Sequence, residues 1–410
     1  ASYIIFKEGD TYYAKNGTTG EIEFSGTNAS QVINQALSSL TNGRTWKERV
    51  ILIGDFEIST PITIPSYTIF ELYGKMVPSD KYQKILDVQS SHVEIRGGVY
   101  DGIRGTDYTS SAYRVIHIHG NSTNIIEDII IEGVIVKNGV SRGIEIDYAR
   151  YVIVRKVTVD NCWRNIMAWV SPESVDGLSL DCSIIMEDLV ITNAINNGID
   201  FTYQNITIRN IIMKGNKATA ITGDSFKNLI IDGIYAEGQG INLVTGSWTY
   251  GHGKNILISN VFAKKIYISV ATPYESIKIK DSFLYNASGH GLEILIKSNA
   301  NLTYLELNNV EIKNAGWMGA SIHLDSEASG IVKNMQIIGC VFRDNAQHGL
   351  RIANASLISI MGNIFKDNGW YGLSLVGCSD GIVIGNIFDG NGSGNYTTSD
   401  VTNVTFTDNV

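Results

Sequence analysis

A repeat constrains this chain more than anything else in it. Residues Asn193 to Leu243 read NAINNGIDFTYQNITIRNIIMKGNKATAITGDSFKNLIIDGIYAEGQGINL, and the pattern returns after about 22 or 23 residues. Ile199 and Phe201, Ile206 and Ile208, Ile211 and Met213 are followed one period later by Ile221, Leu229 and Ile231, Ile234 and Ala236. Apolar residues alternating in such short runs make strands with one buried face, and a helical period does not fit them. A fixed period over many copies makes a solenoid, whose core grows coil by coil, so the 410 residues form one elongated domain.

Composition narrows the partners. A net charge of −9 argues against nucleic acid, because a phosphate-binding surface needs clustered Lys and Arg. No apolar run approaches membrane-spanning length, so no membrane insertion is expected. The chain starts at Ala1 without Met, as a processed extracellular protein would. N-x-[ST] sequons at Asn16, Asn28, Asn121, Asn205, Asn286, Asn301, Asn354, Asn391, Asn395 and Asn403 point the same way, toward a secreted glycoprotein. Of the four Cys, Cys162 and Cys182 flank an irregular insertion and could staple it, whereas Cys340 and Cys378 read as buried thiols.

Residues 1–27 read as a small antiparallel meander: YIIF, TYYAK and EIEFSG with turns between. Thr27 or Asn28 then caps an amphipathic helix over 28–41, with Val32, Ile33, Ala36, Leu37 and Leu40 on one side. The strands of RVILIGDFEISTPITIPSYTIFELYG cover that face. This stretch, GDFEISTPITIPS above all, resembles the start of pectin-lyase-like right-handed β-helix proteins, the polygalacturonases and pectate-lyase-superfamily domains among them. The resemblance spans about residues 25 to 390 and is specific for fold more than for activity. It implies an all-β, right-handed parallel β-helix solenoid of about 12 coils over 28–410, with a capping helix and no separate second domain. Most coils end at an Asn: Asn138, Asn161, Asn193, Asn216, Asn286, Asn314, Asn345, Asn368 and Asn391. An Asn at a tight corner tolerates the left-handed conformation and can bond the Asn one coil away.

The polygalacturonase resemblance can be carried over position by position. That family has N-T-D-G, then D-D, then G-H-G on successive coils, and the matching positions here are Asn197, Ala218 with Thr219, and Gln239. Each is neutral, and amides cannot exchange a proton near pH 7. Catalytic residues of that type are therefore absent. His290 occupies a repeat column shared with Met318, His348 and Tyr371, and the coil before it carries Lys264 and Lys265 where acids would be needed. His252 lies in the turn GSWTYGHGKN.

A pectate-lyase-like site would need acidic calcium ligands and a basic residue. Glu145, Asp147 and Asp200 face outward on one sheet, with Asp224 a coil further and Arg142, Arg150 and Arg164 nearby, but Met167 and Trp169 interrupt the column. Calcium is thus an option rather than a requirement, and no other cofactor is expected. Trp317 and Trp370 share a column beside His290, His348 and Tyr371. Exposed, this corner is an aromatic ridge for sugar rings or a second subunit; covered, it is packing under a loop.

The closing strand, with Val404, Phe406 and Val410, has no evident cover, and the meander's Tyr3, Ile4, Ile5 and Phe6 are apolar. Pairing one end with the other in a second copy would give a head-to-tail homopolymer. The leading expectation is a non-catalytic structural protein of an extracellular, cell-surface or filamentous assembly, self-associating through these ends. The alternatives are a polysaccharide-active lyase or glycoside hydrolase with a non-standard site, and a glycan-binding adhesin or viral spike.

Overall fold

The computed structural model describes residues 1–111, 113–169, 183–245, 253–297, 300–325 and 330–410. Strands Tyr3–Glu8, Thr11–Asn16 and Ile22–Gly26 form the antiparallel meander. The first also runs parallel to Glu48–Ile58, Tyr3 beside Val50 and Ile5 beside Leu52. Tyr3 and Ile5 are buried, so these two of the residues expected to contact a second copy belong to the chain's own core. The helix is Ala29–Ser38, shorter than 28–41, and Asn28 caps it by accepting the Gln31 N–H at 3.2 Å. Its five expected apolar residues are all buried. Ser30 Oγ accepts the N–H groups of Ser59 and Thr60 at 2.9 and 3.2 Å, tying the helix to the first coil.

Glu48–Ile58 and Thr68–Pro78 pair in parallel along their whole length. Gly74 (φ +152°) lies over Gly54 so closely that a Cβ would meet the Gly54 carbonyl oxygen at 2.0 Å, so only glycine fits there.

The chain divides into two compact units, residues 1–203 with 211–218 and residues 204–210 with 219–410. Each is built from parallel ladders in which every strand belongs to a successive coil. In the first unit one ladder runs Ile62–Ile64, Leu86–Val88, Arg114–His119, Arg142–Asp147, Arg164–Trp169 and Asn197–Thr202. Its inward column, Ile62, Leu86, Ile116, Ile144, Ile166 and Ile199, is wholly buried, as period-2 alternation requires. In the second unit the corresponding ladder runs from Thr219–Asp224 through Lys265–Val270, Leu292–Ile296, Ala320–Leu324 and Leu350–Ala353 to Gly394–Ser399. On the unit's other ladder a stack of Phe342, Phe365 and Phe388, with centroids 5.3 and 4.9 Å apart, follows the same coil-to-coil register.

The asparagines form two columns, one residue out of step. Asn138, Asn161, Asn193, Asn286 and Asn314 sit at positive φ, and Asn161 and Asn314 each donate to the Asn one coil before, at 2.7 and 3.1 Å. Asn345, Asn368 and Asn391 come one position later, after the left-handed Asp344, Asp367 and Gly390. Their amides run through the interior, Asn345 to Asn368 and Asn368 to Asn391, each at 2.8 Å. Asn216, behind left-handed Gly215, belongs to the same inner column and accepts the Ala194 N–H at 3.0 Å. Cys162, Cys340 and Cys378 are buried free thiols, and burial pushes Cys162 up to about 12. Cys182 and His252 lie outside the described residues. Among the described residues no helix is long and apolar enough to cross a membrane.

Candidate functional site

On the ladder of the first unit, alternation puts Ile116 and Ile118 inside and turns His117 and His119 outward. Parallel register aligns Asp87 with His117 and Glu145, His119 with Asp147, and Arg114 with Arg142 and Arg164. Neighbouring coils stand ~4.8 Å apart, so the side chains meet. One ring nitrogen or carboxylate oxygen from each of Asp87, His117 and His119 lies within 4.8 Å of the others, and the same holds for His117, Glu145 and Asp147.

Two imidazole–carboxylate pairs result. His119 Nε2 is 2.9 Å from Asp87 Oδ1, and His117 Nε2 is 2.9 Å from Asp147 Oδ2. The two rings stack at 3.8 Å with 13° between their planes. Burial pushes Asp87 upward, but hydrogen bonds from His119, Lys84 and Gln89 outweigh it and hold Asp87 well below the usual carboxylate range. A carboxylate can only accept, so His119 donates from Nε2 and keeps Nδ1 as its basic nitrogen. Burial, aided by the charges of His119 and Arg114, lowers His117 to about 3, and it is a neutral ring at pH 7. Asp147 is raised by burial to about 6, against the pull of Arg114, Arg142 and His119. His117 Nδ1 and Asp147 Oδ1 are buried without a hydrogen-bond partner among the described residues.

Glu145 is 1% exposed and bound by Arg114 and by Arg142, the latter at 2.9 Å. Asp200 pairs with Arg164 at 3.2 Å and accepts from Asn197 Nδ2 at 3.2 Å. Arg150 departs from the expected grouping: it lies on the other ladder and binds Glu127 at 2.5 Å. Asp224 belongs to the second unit, where it accepts from Ser225 at 2.8 Å. Trp169, beside Asp147 in register, is 41% exposed.

The calcium expectation does not fit these residues. A hard cation needs carboxylate oxygens free to bind it, yet Glu145 is held by two guanidiniums and Asp200 by one. Around the imidazoles Asp87 is paired with Lys84 and His119, Glu145 with Arg114 and Arg142, and Asp147 with His117 inside the field of the same two arginines. The cluster balances its charge from within.

The positions matching the polygalacturonase acids stand apart from this chemistry: Asn197 is bound to Asp200, Ala218 is exposed, and Thr219 and Gln239 are half-buried. Sequence reasoning found Glu145 and Asp147 and missed Asp87, His117 and His119. The available signal was VIHIH, two polar rings alternating with core isoleucines.

In the second unit the aromatic corner is exposed, Trp317 by 55% and Trp370 by 46%. His290 meets Trp317 edge-on at 5.2 Å and His348 meets Trp370 edge-on at 5.1 Å, while Tyr371 stacks on His348 at 5.9 Å. Of the sequon residues, Asn28, Asn121, Asn286, Asn301, Asn354, Asn395 and Asn403 are exposed. Asn16, Asn205 and Asn391 are half-buried, and the Asn391 Nδ2 donates to the Phe365 carbonyl at 2.9 Å. Ile4, Phe6, Val404 and Phe406 are half-buried and Val410 is 80% exposed.

A family model described as a right-handed beta helix region matches residues 293–410. Among solved structures, the tailspike protein of E. coli bacteriophage HK620 matches at 11% identity over 92% of this chain and 76% of its own, with a TM-score of 0.53. The fold is a right-handed parallel β-helix. Other β-helices align less closely: a Yersinia enterocolitica family 28 exopolygalacturonase at 11% identity, 96% and 82% coverage and TM-score 0.48, and the A-module of an Azotobacter vinelandii mannuronan C-5 epimerase at 14%, 92% and 95%, and 0.44. No curated protein matches the chain in sequence.

Proposed function

We propose that this β-helix is an extracellular polysaccharide-active enzyme that abstracts the proton α to a uronate carboxylate, with His119 as the base. The observation that carries the reading is the pair of stacked imidazole–carboxylate couples, with a carboxyl raised to about 6 by burial. Perturbed titratable groups in contact with one another mark functional sites more often than structural ones.

His119 is the more exposed ring, and Asp87 fixes its tautomer by accepting from Nε2, which leaves Nδ1 as the basic nitrogen. In the step, the substrate C–H bond breaks, the proton passes to His119 Nδ1, and the electron pair enters the adjacent carboxylate as an enolate. Return of a proton to the opposite face would invert the sugar; loss of the neighbouring glycosidic oxygen would cleave the chain. His117 and Asp147 are positioning residues: the neutral ring behind His119 leaves room for only one imidazolium in the stack. The guanidiniums of Arg114 and Arg142, held by Glu145, flank the stack and keep the site from repelling an anionic sugar.

The head-to-tail structural reading has less behind it, because Tyr3 and Ile5 are core residues. The test is to incubate the protein with polyuronates in deuterated water and follow the α-carbon hydrogens by NMR. The expected result is deuterium incorporation that survives a chelator and vanishes in H119A. No exchange on any polyuronate by folded wild-type protein would end the proposal.

A further inference from the structure

The second unit has its own outward column. Parallel register aligns Tyr267, Glu293, Ser321, Arg351 and Ser374. Beside it runs the aromatic corner, whose backbone ladder passes from Gly289 through Trp317, Gln347 and Trp370. Two coil steps therefore separate the indoles, roughly 10 Å, about the length of a disaccharide. A cleft of about 310 Å³ opens between Trp317 and the column, lined by Lys265, Tyr267, His290, Glu293 and Trp317 among others, and Trp370 continues the aromatic wall beyond it.

Two features set this cleft apart from packing. Each exposed indole is held edge-on by an imidazole, which fixes the ring and leaves a face for stacking. The His290 and His348 Nδ1 atoms are buried without a partner among the described residues, and His348 is only 8% exposed. Burial, joined by the charge of Arg351, lowers His290, His323 and His348. Arg351 itself has no carboxylate partner among the described residues, unlike Arg114, Arg142 and Arg164 in the first unit. An aromatic wall with an uncompensated guanidinium suits a sugar chain bearing negative charge, since the rings take the apolar sugar faces and the guanidinium the anion.

We propose that Trp317 and Trp370 form a glycan-docking wall on the second unit, running from the cleft at Trp317 to Trp370 and stacking on alternate sugars of an anionic polysaccharide whose acidic group is taken by Arg351. The cleft needs none of the chemistry assigned to His119, and it holds a chain without acting on it.

Affinity electrophoresis through gels containing polygalacturonate, polymannuronate, hyaluronate or neutral dextran tests this. Wild-type protein should be retarded by at least one of the acidic chains and less by dextran. Each of W317A and W370A should weaken binding about tenfold, equivalent to ~1.4 kcal/mol, without changing the melting temperature of a surface site. R351Q should remove the preference for the acidic chain, and H119A should bind as wild type. Unretarded wild-type protein, or a Trp double variant that migrates like wild type, overturns the docking cleft. Unaltered charge preference in R351Q overturns the choice of an anionic ligand. Loss of binding in H119A would mean that retention occurs at the first site and would sink the second.

Discussion

Each unit has an outward column on its own ladder, and the two columns carry opposite solutions. In the first unit Asp87, His117 and Glu145 are buried, and every carboxylate near them has a cation or an imidazole against it. In the second, Tyr267, Glu293, Ser321 and Arg351 follow one another with neutral neighbours, and indoles stand exposed alongside. Inward positions allow no such divergence, because each coil must pass an apolar side chain to the next. The coil repeat thus specifies the core, while the outward pleat is free to hold either proton chemistry or a sugar-binding wall.

The sharpest way to break that division is to exchange its consequences. H119A should lower turnover by about 10²–10⁴-fold, the usual contribution of a general base, while the Trp317 and Trp370 variants should leave turnover of short oligosaccharides within about twofold of wild type. Rates on a defined uronate oligomer decide it. Equal losses in both sets would mean one site, not two.

A comparison of two glutamates at matching pleat positions ranks next. Glu145→Ala takes from the half-buried Arg114 and Arg142 the carboxylate they share and should cost about 1–3 kcal/mol. Glu293→Ala removes a half-buried carboxyl whose nearest ionic neighbour, His323, is 3.8 Å away, and should cost under ~1 kcal/mol. Urea denaturation of the two variants, read as a midpoint shift, tests the ranking.

These contrasts also explain what could be read from sequence. The I-x-I runs, the capping helix and the corner asparagines follow from local rules, alternation and left-handed tolerance, that act within a few residues. The His119 cluster obeys no such rule. Its members are 30 and 28 residues apart along the chain, from Asp87 to His117 and from His117 to Glu145, instead of about 22, because the coils between them carry longer turns, including residues 102–111. Register across coils, which only the folded chain reveals, brings them together. The Asn column failed in a smaller way: a one-residue offset separates a corner Asn from an interior one, and both look alike in a repeat.

That offset gives a third prediction. Asn368 donates to the Phe342 carbonyl and to Asn391, and accepts from Asn345, all inside the second unit. Asn368→Ala should therefore cost about 1–3 kcal/mol through the partners it orphans. Asn314, at an exposed left-handed corner, should tolerate Gly within about 0.5 kcal/mol. Thermal midpoints of the pair test whether the two columns are energetically distinct; equal shifts would merge them again.

The smallest effect lies in the pH dependence of the first unit, because its two buried groups oppose each other. His117 falls from 6.5 to about 3 on folding. Between those values the unfolded chain binds the proton and the folded one does not, so this contribution to stability is present above about 6.5 and lost as the pH falls. Asp147 rises from 3.8 to about 6. There the folded chain keeps a proton that the unfolded one has released, so its contribution is present at low pH and lost as the pH rises through 6. From about pH 4 to 6 the two slopes overlap and nearly cancel in the wild type. Removing either group should expose the other. Relative to wild type, D147N should gain melting temperature as the pH rises across this window, and H117Q should lose it. Surface carboxylates titrate alike in all three proteins and drop out of the difference. If both variants moved in the same direction, the His117–Asp147 pair would not be the group that titrates. The second unit supplies a parallel case: burial lowers His348 too, so H348Q, like H117Q, should lose melting temperature relative to wild type as the pH rises toward 6.5.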